Sequence, residues 1–135
     1  MLVTEVYQDA RSVDTGELIW QLAPAAEDED GRALAALLAD LGLDRPWGTR
    51  QSAARKLGYM GCRAAVPDLV EALPGDSFWM VRCAIIQALE KIGDARALPT
   101  LRQVAASDRF QVVRSHAAKA VATIDASYEH RATSD

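Results

Sequence analysis

The chain repeats itself. A shift of 32 residues brings Asp44, Asp76 and Asp108 into one column and Arg50, Arg82 and Arg114 into another, six residues further on. Trp47 then aligns with Trp79, Phe78 with Phe110 and Val81 with Val113. Leu57, Leu89 and Val121 form a column, followed by Met60, Ile92 and Ile124. Gly61 falls on Gly93, Ala65 on Ala97, Pro67 on Pro99 and Leu69 on Leu101. Chance matches scatter over many offsets, whereas these keep one. A period of this length means a stack of small units, none able to bury its apolar side alone.

Each copy reads as two helices. In the clearest copy, Ile85, Ile86, Leu89 and Ile92 recur at helical spacing and stop at Gly93, a residue suited to a left-handed helix end. The second helix is expected over 95–106, with Leu98, Leu101, Val104 and Ala105 inward and Pro99 in its first turn. The copy before it predicts helices over 47–58 and 63–73. One shift further back, Leu34, Leu37, Leu38 and Leu41 mark the second helix of a degenerate unit. Its first helix is expected over 15–23, with Asp14 and Glu17 spaced as a capping box. The expected organisation is a leader at 1–13, a degenerate repeat at 14–44, repeats at 45–76 and 77–108, a half repeat at 109–126 and a polar tail at 127–135.

The run WMVRCAIIQALEKIGDARALPTLRQVAASD resembles the HEAT-like repeats first associated with phycobilin lyases. Val81, Arg82, Ala88, Leu89, Ile92, Gly93, Asp94, Ala97, Pro99 and Leu101 carry the likeness, which spans about Gly31 to Asp125. The preceding copy departs from the pattern, with Cys62 where Asp94 stands and Thr49 where Val81 stands. The resemblance implies an all-α fold, a right-handed α-solenoid of about three helical pairs. It specifies a fold and no activity. A bilin lyase, or an accessory subunit of one, is the alternative function that it implies.

Composition agrees with stacked helices. Alanine supplies 25 residues, and aromatics make up only 6% of the chain. Alanine ranks first in helices and is depleted in strands, which argues against a β-sandwich or barrel. Ala53, Ala54, Ala64, Ala65, Ala117 and Ala118 are expected where helix axes approach closely. No uncharged run is long enough to span a membrane. No secretory signal is visible, and Cys62 and Cys83 form no disulfide framework, so a reducing cytoplasm is expected. The net charge of −4 divides unevenly: ten acids face two bases up to Asp44, and nine face thirteen from Arg45 onward.

Catalytic chemistry finds little here. Only His116 and His130 are present, too few to build a metal site with the scattered acids, and no cofactor is expected. Cys62 sits in a turn with no histidine in its repeat, and Cys83 reads as a small buried hydrophobe. No glycine-rich phosphate loop occurs. The Glu27–Asp30 run suits a helix N-terminus. Nucleic-acid binding is disfavoured, because the basic residues of the body form no cluster and the pI is about 5.1.

The expected function is therefore non-enzymatic, an adaptor, assembly factor or regulator that binds another protein. The Asp44, Asp76, Asp108 and Arg50, Arg82, Arg114 columns read as a structural ladder between repeats. Asp68, Glu71, Arg102 and Gln103 on second helices are the candidate partner-binding residues, with Trp47 and Trp79 marking an edge of that surface. The last copy supplies a first helix only. Its stripe of Val113, Ala117, Val121 and Ile124 is expected to lack cover, so that either this helix caps the stack or a second protein or second copy completes it.

Overall fold

A computed structural model describes residues 31–134, and the expected leader, the capping box at Asp14 and the acidic run at 27–30 lie outside it. Every regular element among the described residues is helical. Residues 31–39 form α1. It is followed by α2 (Trp47–Met60), α3 (Val66–Gly75), α4 (Trp79–Ile92), α5 (Leu98–Ser107) and α6 (Gln111–Ser134). From α2 onward the order is first helix, second helix, first helix, second helix, first helix, a small α-solenoid.

Local chemistry sets the helix ends. Pro46, with φ −59°, leads into α2. Gly61 and Gly93 end α2 and α4 with φ of 62° and 73°, the left-handed conformation in which a side chain is strained. A 3₁₀ turn follows each, at Arg63–Ala65 and Ala95–Ala97. Pro67 and Pro99 then occupy the first turn of the second helix, where no amide hydrogen is missed. The second turn is better capped than the first. Asp94 accepts from the Arg96 amide, whereas Cys62 at the equivalent place makes no side-chain cap.

Packing centres on α4, which lies between α2 and α6 and buries Val81, Ile85, Ile86, Ala88 and Leu89. Leu57, Leu69, Leu73 and Leu101 are also fully buried. The closest approach is between first helices. A Cβ on Gly58 would stand 2.8 Å from the Ala88 Cα, so glycine is required there. Of the alanines expected at close contacts, Ala53, Ala54, Ala65 and Ala117 are buried, but Ala64 and Ala118 are exposed.

Two expectations for the C-terminal part are corrected. Val113, Ala117 and Ile124 do not form an open stripe: each has 0% exposure, because α6 packs them against α4 and α5. Nor is there a separate tail after Ala126, since α6 runs on to Ser134. Side chains hold that extension down. The Tyr128 hydroxyl accepts from the Ala95 amide at 3.2 Å, and Arg102 donates to both Asp125 oxygens at 3.1 Å.

Candidate functional site

The loops that enter first helices are built around aspartate. The Asp76 carboxylate accepts from the Phe78 amide at 3.0 Å, an Asx-type turn that aims the chain into α4. The same carboxylate receives Arg50 from α2, with Nε at 2.6 Å and Nη2 at 3.0 Å. One repeat on, Asp108 accepts from the Phe110 amide at 3.0 Å and from Arg82 Nε and Nη2 at 2.7 and 2.9 Å. These are two-pronged guanidinium–carboxylate pairs, the strong and directional kind. Arg50, Asp76 and Arg82 are buried, with Asp76 only 2% exposed, and Asp108 is part-buried. Donating to the Asp76 carboxylate raises the Arg50 pKa. Burial pushes the Asp108 carboxyl up, but the Arg82 and Phe110 hydrogen bonds outweigh it and hold the group below its usual range.

The two outer members of the columns behave differently. Asp44 is exposed and pairs with its neighbour Arg45 at 2.9 Å, while Arg45 also reaches Asp40 at 3.2 Å. Arg114 donates Nη1 to the Asp108 carbonyl, as Arg82 does to the Asp76 carbonyl at 2.9 Å, but no described carboxylate closes on its other prong. The described seam thus has two rungs, Arg50–Asp76 and Arg82–Asp108.

The aromatic residues follow the same seam. Trp47 does not stack on Trp79. It packs on Phe78 of the next copy with ring centroids 4.7 Å apart, and Trp79 packs on Phe110 at 6.4 Å. Arg109 lies over the Phe110 ring at 5.2 Å. Each indole therefore seals an inter-repeat turn on one side, while Trp47 stays 45% and Trp79 38% exposed.

Asp68 and Glu71 stand on one exposed side of α3 and rim a groove of about 300 Å³ floored by Leu38, Leu41, Leu43 and Ala72. Leu43 is 64% exposed, so this floor presents apolar surface to solvent. Arg102 and Gln103 are exposed on α5 but belong elsewhere. Arg102 is occupied by Asp125, and Gln103 lines a separate groove of about 440 Å³ with Ser77, Thr100 and Arg82. The structure brings Asp68 and Glu71 together and separates them from the other pair.

A family model for HEAT repeats matches residues 32–122. The chain belongs to the HEAT-repeat family. None of the curated proteins matches it. HEAT repeats generally serve as scaffolds for protein interaction.

Sequence reading passed over one polar cluster in this HEAT chain. Asp94, 5% exposed, is gripped by Arg96 at 2.8 Å and by Arg63 of the preceding turn at 3.4 Å. The Arg96 side chain and amide, helped by the charge of Arg63, lower its pKa to about 2 despite burial. Arg96 also donates to the Arg63 carbonyl at 3.1 Å, so the cluster ties successive turns together. No column marks it, because Arg63 aligns with Ala95 and Arg96 with Ala64. Nothing nucleophilic emerges beside it. Cys83 is 8% exposed, and burial pushes its thiol pKa up, away from the reactive thiolate. His116 shares a shallow recess with it, on the side that Trp79 and Gln87 also line. Among the described residues no three His, Cys, Asp or Glu side chains converge to hold a metal.

Proposed function

We propose that this HEAT chain is a non-enzymatic protein-interaction module, an adaptor or assembly factor, that binds a partner segment on its second-helix face. The observation that carries the reading is the groove at Leu38, Leu41 and Leu43 with Asp68 and Glu71 on its rim. Exposed leucine beside two carboxylates suits a segment that inserts an apolar side chain and sets a lysine or arginine next to it. The same carboxylates repel phosphate, which weighs against nucleic acid at this face. Cys62 and Cys83 are both free, which supports a cytoplasmic setting.

The test is position-specific crosslinking in the native host. A photoreactive residue at Leu43 should trap one discrete protein, and the same residue at Lys56, exposed on the first helix α2, should not. Asp68→Lys with Glu71→Lys should reduce the trapped species at least tenfold while the far-UV spectrum stays unchanged, since both side chains are exposed. Equal trapping from both positions, or trapping indifferent to charge reversal, would reject the groove as the docking site.

A further inference from the structure

First helices carry a second register that the ladder does not use up. On α2, Arg50, Ala54 and Gly58 succeed one another at four-residue steps and share one face. That face receives α4: Ala54 and Gly58 are buried, and Gly58 meets the Ala88 backbone. On α6 the same register reads Arg114, Ala118 and Ala122. There Ala118 and Ala122 are exposed, Val121 is half-buried, and Arg114 is only partly covered. Arg114 holds the same backbone contact as Arg82, through Nη1 to the carbonyl six residues back. Its Nε and Nη2, the donors that close on a carboxylate at both Arg50 and Arg82, meet no acceptor among the described residues.

We propose that this face of α6 docks an amphipathic helix of a second polypeptide that opens on Asp-x-aromatic. Its aspartate closes on Arg114 Nε and Nη2, and its apolar side lies over Ala118, Val121 and Ala122. The chemistry of the occupant is set by the two filled rungs. In each, the arginine takes an aspartate that stands two residues before a phenylalanine and leads into a helix. A planar guanidinium anchored through one nitrogen presents a fixed fork that fits a carboxylate better than a point charge does. The small side chains let the incoming helix approach as α4 approaches α2. Gln111 stands where Trp47 and Trp79 stand, so the carboxylate rather than the aromatic ring carries recognition here. This surface is separate from the leucine groove, and neither proposal depends on the other.

The probe is a capped synthetic peptide of residues 107–126, which presents Asp108 and Phe110 ahead of an amphipathic stretch. Added at millimolar concentration to the whole chain, it should shift the Arg114 Nε–H resonance and the Ala118 and Ala122 amides. Arg114→Gln should weaken binding at least tenfold. Because that change also removes the bond to the Asp108 carbonyl, Ala118→Glu at an exposed position serves as a second variant and should weaken binding similarly. A peptide with Asp108→Asn should bind at least tenfold less well. Absence of any shift, equal binding of the asparagine peptide, or indifference to Ala118→Glu would each overturn the proposal.

Discussion

Asp76→Asn is the sharpest probe of the seam. The amide keeps an oxygen for the Phe78 amide hydrogen, so the turn into α4 is preserved and only the charge and one Arg50 contact are lost. The Arg50 side chain is 10% exposed and that of Asp76 is 1%, so the guanidinium is left buried without its counter-ion. Breaking a buried pair from one side costs about 3–5 kcal/mol, against about 0.2–1 kcal/mol for an exposed pair. The Arg102–Asp125 pair, 56% and 39% exposed, supplies that internal comparison. For a domain of this size the total stability is about 5–15 kcal/mol, so the substitution should remove about a fifth of it or more. It should also lower Tm by roughly 12–40 °C, at about 4–8 °C per kcal/mol. Urea melts followed by far-UV circular dichroism measure the loss. Arg50→Met with Asp76→Asn should recover most of it, because the unpaired charge is gone, giving a coupling energy of about 2–3 kcal/mol. A single-variant cost under about 1 kcal/mol, or additivity in the double variant, would refute the claim that these rungs hold the repeats together.

Two further substitutions follow from local geometry. Gly58→Ala should destabilise by about 1–2 kcal/mol despite better helix propensity, because its Cβ would meet backbone at Ala88. Gly48→Ala, with nothing within 4 Å of the new Cβ, should be neutral or stabilising by up to about 1 kcal/mol in the same melts. The Asp94 cluster should show in pH. Its carboxyl titrates near 2 when folded against an ordinary 3.8, so its stabilisation is complete above pH 4 and fades as pH falls through about 2. Asp94→Asn should therefore cost about 1–2 kcal/mol at pH 7, allowing for solvent around the exposed arginines, and almost nothing near pH 2. A cost independent of pH would show that the arginines contribute no charge interaction.

What could be read from the residues depended on whether an interaction recurs. The helices and both rungs repeat every 32 residues, so Arg50 and Arg82, or Asp76 and Asp108, stand in visible columns. The Asp94 cluster joins three side chains at positions that do not align, and it left no periodic trace. The extent of α6 was hidden for a related reason. Residues 127–134 look polar and featureless, and one long-range contact, Tyr128 to the Ala95 amide, bridges 33 positions to hold them on the stack. The candidate groove lay between these cases. Asp68 and Glu71 were legible as exposed second-helix residues, but the groove they rim needs Leu43, which follows α1 and belongs to no repeat column. Arg102 was legible as well, yet its partner Asp125 lies on the next first helix, and that ion pair occupies its guanidinium although the side chain stays exposed.

The outward face of α6 differs in composition from the same face of α4. At this register position α4 buries a large side chain, the fully buried Ile86, whereas α2 buries Ala54. At the equivalent place α6 carries Ala118, so exposure there costs one methyl group rather than an isoleucine, about 2 kcal/mol less apolar penalty at most. The neighbouring changes point the same way, Cys83 to Ser115 and Gln87 to Lys119. Solubility alone would favour a charge at every such position. Instead the face keeps arginine followed by alanines, the pattern on which α4 already packs at α2. A surface that tolerates water and yet retains a carboxylate fork with room for a helix backbone fits reversible docking better than permanent burial.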